Sequence, residues 1–221
     1  MINTDNYKKI IDELGDKVTL VAVSKTKPVE DIKALYDLGQ RDFGENYVQE
    51  LIEKQPQLPP DIRWHYIGHL QSNKVKYIAP FVHLIHGVDS FKLLSEINKQ
   101  AQKNNRIIDC LLQVHIAKEE TKFGLDEKEL DEMISQVRNS QMANVRICGL
   151  MGMASFTGNM EIVRNEFRYL KALFAKQLQT LNSKLQTLSM GMSSDYKIAI
   201  EEGSTMVRIG SLLFGERNYQ Q

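Results

Sequence analysis

The chain has 221 residues, of which 28 are basic and 28 acidic, so its formal net charge at pH 7 is zero. This balance argues against a nucleic-acid partner, which selects for a basic excess, and the sequence has no apolar stretch near the roughly 20 residues that span a bilayer. The sequence shows no signal-peptide pattern. Its two cysteines, Cys110 and Cys148, lie in apolar runs, which is typical of buried thiols in a reducing compartment. We therefore expect a cytoplasmic protein with no membrane partner.

Apolar strand-like runs alternate with amphipathic helical segments in the first half of the chain. A helix is predicted near residues 7–14, and residues 18–23 read as a strand buried on both faces. Pro28 suits the first turn of the next helix, which ends before Gly39. Further strands are predicted at residues 41–44, 64–67 and 82–85, and helices at 48–54, 73–79 and 91–103.

The second half continues the same alternation. Strands are predicted at residues 107–116, 145–151, 187–190 and 206–209, and helices at 127–139, 160–181 and 196–202. Alternation of this kind gives a parallel sheet, because each crossover needs a helix. Eight such units in about 200 residues favour a single-domain (β/α)8 TIM barrel over residues 1–221. The alternative is a doubly wound sheet, which would place a glycine-rich loop after the first strand, where the sequence has Ser24-Lys-Thr-Lys27.

In a barrel of this type, the residues that follow the strands line the functional face. Lys25 follows the first predicted strand, and a lysine amine in a partly dry pocket has a lowered pKa and can attack an aldehyde. The plainer interpretation, a solvated lysine, stays open for Lys25 and also for Lys27. Two Gly/Ser turns near the end of the sequence, at residues 191–194 and 210–211, can present backbone N–H groups to a phosphate.

Other polar residues at this face have less specific signals. Arg208 lies within a predicted strand, where it either forms a structural ion pair or faces a ligand. His65 reads as a packed histidine or a reactive one, and Asn46 and Met151 complete the set of candidate residues at this face. The five histidines lack a metal-ligand spacing, so we expect no metal.

Several motifs occur in order along the chain. They are VAVSKTK at residues 21–27, FGENYVQE at 43–50, WHYIG at 64–68, LQSNK at 70–74, GLM at 149–151, SMGMS at 189–193 and STMVRIG at 204–210. In these motifs the sequence resembles the pyridoxal phosphate homeostasis protein family, whose members are similar to the N-terminal barrel of alanine racemase. The resemblance covers residues 18–217.

The resemblance implies a role for each candidate residue. Lys25 matches the lysine that carries pyridoxal 5′-phosphate covalently as a Schiff base. Ser193, Gly210 and Ser211 match the turns that hold its phosphate, with Ser194 close enough to join them. Arg208 matches the arginine that faces the pyridine nitrogen. Asn46, His65 and Met151 match positions around the ring.

The expected function is therefore that of a binding protein and not of an enzyme. It would hold pyridoxal phosphate on Lys25, balance vitamin B6 and amino-acid pools, and pass the cofactor to apo-enzymes. Racemases of this kind add a second domain that brings another acid/base group, and the sequence ends eleven residues after Gly210, so we expect no such domain. No long apolar helix face is left obviously uncovered in the predicted elements, so we also expect a monomer. The alternatives are a weak racemase or lyase that uses Lys25 as its base, and a barrel that binds an unrelated sugar phosphate.

Overall fold

A computed structural model describes residues 2–119, 123–180 and 185–215, and its eight parallel strands close into a barrel. Each strand pairs with the next along the chain, and the last pairs with the first. The strands are β1 Thr19–Val23, β2 Asp42–Glu45, β3 Arg63–Tyr66, β4 Leu84–Val88, β5 Ile108–Val114, β6 Val145–Gly152, β7 Thr187–Met192 and β8 Met206–Ile209. The predicted (β/α)8 barrel is therefore confirmed, and the doubly wound alternative is wrong.

Helices connect the strands and form the outer layer. They are α1 Thr4–Leu14, α2 Val29–Asp37, α3 Val48–Lys54, α4 Val75–Ile78, α5 Phe91–Lys103, α6 Glu127–Asn139, α7 Met160–Thr180, α8 Tyr196–Glu201 and α9 Ser211–Phe214, with short 3-10 helices at Gln55–Gln57 and Ser72–Lys74. Helix α6 begins at a reciprocal capping box between Asp126 and Glu129. No described helix is long and apolar enough to cross a bilayer.

Most of the apolar core lies between the strands and the helices. Ile32 and Leu35 of α2, Phe43 of β2 and Phe167 of α7 are fully buried there. A second, smaller cluster gathers side chains of five strands: Val21, Leu84, Leu111, Met151 and Met206. Strands that are not neighbours contribute to it, so this cluster fills the interior of the barrel, as parallel barrels require.

Most predicted bounds differ from the observed ones by two residues or fewer, and the larger differences include those at two elements, β4 and α9. Strand β4 runs to Val88 and includes His86 and Gly87, three residues beyond the predicted end at residue 85. Residues 211–214 form α9, which was not predicted, because four residues are too few for a helical period to show. Leu181, the predicted last residue of the long helix, lies outside the described residues.

Candidate functional site

Four neighbouring strands carry candidate residues just beyond their carboxyl ends. Ser193 follows β7, Gly210 follows β8, Lys25 lies two residues after β1, and Asn46 follows β2. The barrel order places β7, β8, β1 and β2 side by side. The structure therefore brings these four positions to one arc of the functional face.

Lys25 lies half-buried in a short loop whose backbone is constrained. The next residue, Thr26, has a φ of +62°, a left-handed conformation that is uncommon outside glycine. The Thr26 amide donates a hydrogen bond to Glu50 of α3, which holds this conformation. Lys27 is partly exposed, and its Nζ lies 2.9 Å from the carbonyl oxygen of Phe214 in α9.

A buried ionic cluster supports the same loop from the helix side. Lys54 Nζ donates to the Ser24 carbonyl oxygen at 2.8 Å, to Glu45 Oε1 at 2.8 Å and to Glu50 Oε1 at 2.5 Å. The Ser24 hydroxyl also donates to Glu45 Oε1, at 2.7 Å. Burial raises the pKa of Glu45 to about 7, although Lys54 and Ser24 oppose the rise. Residues on both sides of Lys25 are thus fixed by one cluster.

The two Gly/Ser turns meet each other. The Gly210 amide donates to Ser193 Oγ at 3.3 Å, so the loop after β7 contacts the loop after β8. A Cβ at position 210 would lie 3.2 Å from the carbonyl oxygen of Val23, tighter than most such contacts, so glycine lets this turn approach the end of β1. Ser211 begins α9, and the first N–H groups of a helix have no partner inside it. Ser194 is exposed beside them.

Arg208 is 4% exposed, and neighbouring strands hold its guanidinium. One terminal nitrogen donates to the carbonyl oxygen and to the hydroxyl of Ser189, at 2.9 and 2.6 Å, and the other donates to the Gly152 carbonyl oxygen at 3.0 Å. Burial lowers the pKa of Arg208 to about 10, against the opposing charge of Asp195. The group therefore stays cationic at neutral pH.

Asn46 has a free acceptor pointing into a buried space. Among the described residues, its Oδ1 is buried without a hydrogen-bond partner, and such atoms are rare in folded proteins. The backbone of Asn46 is fixed, since its carbonyl oxygen accepts from the Tyr66 hydroxyl at 2.9 Å. A Cβ on Gly68 would lie 2.3 Å from that oxygen, so glycine is required at position 68.

His65, Met151 and Arg208 all fall inside the predicted strands at residues 64–67, 145–151 and 206–209, and the structure agrees with this placement. They lie within β3, β6 and β8. Met151 belongs to the apolar cluster inside the barrel. The His65 ring, 1% exposed, lies 2.9 Å from Asp42 through Nε2 and 2.9 Å from His86 through Nδ1. Their contacts with a cofactor ring stay predictions.

Comparisons with known proteins point in one direction. The alanine racemase N-terminal domain model matches residues 3–218. A pyridoxal phosphate homeostasis protein of Aquifex aeolicus is 45% identical over 201 residues, covering 90% of this chain and 87% of the relative. A human protein of the same name is 40% identical, covering 91% of this chain and 78% of the relative.

The chain belongs to the pyridoxal phosphate homeostasis protein family.

Solved structures agree with this assignment. PipY of Synechococcus elongatus, solved with pyridoxal phosphate bound, is 37% identical with a TM-score of 0.88, covering 96% of this chain and 99% of PipY. An alanine racemase of Clostridium difficile is 16% identical with a TM-score of 0.80, covering 99% of this chain and 59% of the racemase. At that identity the racemase shows the shared fold alone.

The residues at the carboxyl face suit the cofactor that gives the family its name. Ser193 meets Gly210 at the turns of this face. The same face has the amine of Lys25, the cation of Arg208 inside the barrel and the unpartnered acceptor Asn46 Oδ1. Their chemistry matches an aldehyde, a heteroaromatic ring with polar substituents and a phosphate, which are the parts of pyridoxal phosphate. The site therefore fits the group.

Other polar groups lie at the opposite end of the barrel. A cavity of about 1070 Å³ opens at the amino ends of the strands, lined in part by Asp42, Arg63, His65 and His83. Ligand atoms of Asp42, His65 and His83 lie within 4.8 Å of one another, a grouping that could hold a metal ion. The Arg63 guanidinium already donates two hydrogen bonds to Asp42, at 2.7 and 2.5 Å, and a metal cation would have to displace it. In such barrels this end serves stability more often than chemistry.

Two groups of buried polar residues were missed by the sequence analysis. One is the cluster around Glu45 and Lys54, and the other links Asp42, His86 and Ser189 to predicted site residues. Glu45 precedes Asn46 in the motif FGENYVQE, so a charged residue at the end of a buried strand was a usable signal. The second group is dispersed along the sequence, and only the folded barrel brings it together.

Proposed function

We propose that this protein binds pyridoxal 5′-phosphate covalently, as a Schiff base on Lys25, and holds the cofactor in reserve for other proteins. The observation that carries the proposal is the meeting of the two turns through Ser193 and Gly210, because Gly210 lies against Val23 at the end of β1, two residues before Lys25. The binding of pyridoxal phosphate by PipY, a relative that this chain covers over 99% of its length, supports it.

The phosphate would be held by backbone amides and hydroxyls. Ser211 supplies an amide at the start of α9, the Gly210 amide can exchange Ser193 Oγ for a phosphate oxygen, and Ser193, Ser194 and Ser211 supply hydroxyl groups. Amides that converge on an anion bind it without a charged side chain. The contact between Ser193 and Gly210 sets the distance between the two turns before any ligand arrives.

Arg208 would orient the ring from inside the barrel. Its pKa of about 10 keeps the guanidinium protonated, so it donates hydrogen bonds and does not deliver a proton. The bound cofactor supplies an aldehyde and an electron-withdrawing ring. A neighbour that does not protonate the ring nitrogen leaves that ring a weaker electron sink. This feature suits storage better than catalysis.

We further propose that the protein does not turn over amino acids, that it works as a monomer, and that it helps to balance vitamin B6 and amino-acid pools by supplying apo-enzymes. The name of the Aquifex aeolicus and human relatives, pyridoxal phosphate homeostasis protein, supports the part that concerns vitamin B6 balance. Incubation of the loaded protein with amino acids in heavy water tests the first part. We expect no exchange of the α-hydrogen above that given by free pyridoxal phosphate, and clear exchange would favour a weak racemase or lyase.

The binding proposal is tested by titrating pyridoxal phosphate into the wild type and two matched variants. Lys25→Arg keeps the positive charge but replaces the amine with a guanidinium, which stays protonated and is not a nucleophile. Lys27→Arg makes the same change two residues away and can keep the bond to Phe214. We expect a visible Schiff-base absorption band in the wild type and in Lys27→Arg, and none in Lys25→Arg. An unchanged band in Lys25→Arg contradicts the proposal.

A further inference from the structure

A chain of hydrogen bonds crosses the interior of the barrel and ends at Arg208. Starting from Asp42, His65 Nε2 lies 2.9 Å from Oδ1, and His65 Nδ1 lies 2.9 Å from His86 Nε2. His86 Nδ1 lies 3.2 Å from Ser189 Oγ, which accepts from Arg208 at 2.6 Å. Because β4 and β7 are not neighbours in the barrel, the bond between His86 and Ser189 must run through the interior.

All five side chains are buried, so each hydrogen in this chain has few possible acceptors. Their exposures are 7% for Asp42, 1% for His65, 0% for His86, 0% for Ser189 and 4% for Arg208. Burial alone would raise the pKa of Asp42, but hydrogen bonds from Arg63 and His65 outweigh it and hold the pKa at about 2. Burial lowers the pKa of His86 well below its ordinary value, with further lowering by His65 and Arg208. Asp42 is thus an acceptor only, and His86 is a neutral ring with one donor and one acceptor.

When both imidazole rings are neutral, the Asp42 end of the chain sets the direction of every bond in it. The Asp42 carboxylate can only accept, so His65 Nε2 carries the hydrogen. A neutral His65 then accepts at Nδ1, which requires the hydrogen of His86 on Nε2 and leaves His86 Nδ1 to accept from the Ser189 hydroxyl. Arg208 can only donate, and Ser189 Oγ can accept that bond while its hydroxyl donates to His86. With both rings neutral, this is the one order in which every bond has a donor and an acceptor.

We propose that Asp42, His65, His86 and Ser189 form a directional hydrogen-bond chain that positions Arg208 from the far end of the barrel. In the reversed order His86 would donate to Ser189 Oγ. That oxygen would then accept from two donors, and its own hydrogen would have to leave the chain. The direction set at Asp42 therefore decides how Ser189 presents its oxygen to the guanidinium. The residues act on the ligand through Arg208 and are positioning residues.

This inference rests on the proposed function only where it concerns the ligand, and the hydrogen positions can be read without any ligand. Nitrogen-15 NMR of histidine-labelled protein reports which ring nitrogen carries the hydrogen. At about pH 8.5, two units above the ordinary imidazole pKa, we expect His65 and His86 each to carry it on Nε2 alone. A hydrogen on Nδ1 of either ring overturns the inference.

The coupling to Arg208 is tested with a pair of variants at the same end of the barrel. Asp42→Ala leaves His65 Nε2 facing Arg63, which is a donor only, so we expect His86 to shift its hydrogen towards Nδ1. Asp109→Ala removes a similar carboxylate, which Arg146 holds at 2.7 and 2.6 Å, but within the described part of the chain no imidazole hydrogen bond links Asp109 to Arg208.

The affinity for pyridoxal phosphate is then measured for the three proteins. We expect it to fall roughly threefold to tenfold in Asp42→Ala, the effect of about one hydrogen bond, and to stay at the wild-type value in Asp109→Ala. Equal affinities in all three proteins, or an equal loss in both variants, overturn the coupling while leaving the proposed function intact. Absence of binding in the wild type contradicts the proposed function, and the NMR result still decides the direction of the chain. If Asp42→Ala does not fold, Asp42→Leu, which also lacks an acceptor and fills the space of the carboxylate, replaces it under the same criteria.

Discussion

The buried carboxyl of Glu45 should make the stability of this protein fall as the pH rises towards neutrality. Burial raises its pKa from an ordinary 4.5 to about 7, so the folded state holds this proton more tightly than the unfolded state. Below pH 4.5 the group is protonated in both states, and the favourable contribution is complete. The contribution is lost as the pH rises through about 7. At about 1.4 kcal/mol per pKa unit, the expected loss is about 3 kcal/mol.

Glu45→Gln isolates this effect, because glutamine keeps the shape of the side chain and does not titrate. Urea unfolding of both proteins between about pH 4 and pH 8 gives the difference in the free energy of unfolding. We expect the wild type to lose up to about 3 kcal/mol relative to the variant across that range. A difference that stays constant, or that favours the wild type as the pH rises, would show that Lys54 fully compensates the Glu45 carboxylate.

Asp42 provides a control, because its contribution to stability should change with pH in the opposite direction to that of Glu45. Its folded pKa of about 2 lies below the ordinary 3.8, so its contribution is present above pH 3.8 and is lost as the pH falls towards 2. Asp42→Asn should therefore be less stable than the wild type above about pH 3.8, and this difference should shrink as the pH falls towards 2, which requires urea unfolding down to about pH 2.

Three further substitutions test the fold and the phosphate turns. Gly149→Ala places a Cβ 1.7 Å from the Thr187 carbonyl oxygen. It should lower the free energy of unfolding in urea by at least about 4 kcal/mol, or prevent folding. The control Gly158→Ala meets no atom within 4 Å and should leave the stability unchanged. Asp126→Ala removes the cap of α6 and should cost about 1 kcal/mol, measured in the same way. Ser193→Ala removes the hydroxyl that accepts from the Gly210 amide and should weaken pyridoxal phosphate binding roughly tenfold in an absorbance titration, the effect of about one charge-assisted hydrogen bond. An unchanged affinity would place the phosphate elsewhere.

The barrel was predictable because its signals are local. Each strand is an apolar run of a few residues bounded by turns, and each connecting helix has its own apolar stripe. The end of β4 was missed because His86 and Gly87 face neither the helices nor an apolar neighbour. His86 bonds inside the barrel, and a Cβ on Gly87 would lie 2.7 Å from the Gly68 carbonyl oxygen. Such residues interrupt the apolar run that marks a strand.

The site was predictable in part, for a different reason. Lys25, Asn46, Ser193 and Gly210 stand next to predicted strand ends, so the position of each follows from the fold. The surroundings of these residues do not, because they depend on pairs far apart in sequence. Lys54 bonds to the Ser24 carbonyl oxygen across 30 positions. His86 bonds to Ser189 across 103 positions, and no local pattern in the sequence marks either pair.

The central claim is the covalent attachment of the cofactor to one lysine. Borohydride reduction of the protein loaded with pyridoxal phosphate, followed by peptide mapping, locates the attachment directly, because reduction turns a Schiff base into a stable pyridoxyl adduct. The account predicts the adduct on Lys25. A loaded protein whose adduct lies on another lysine, or that carries none, would contradict it.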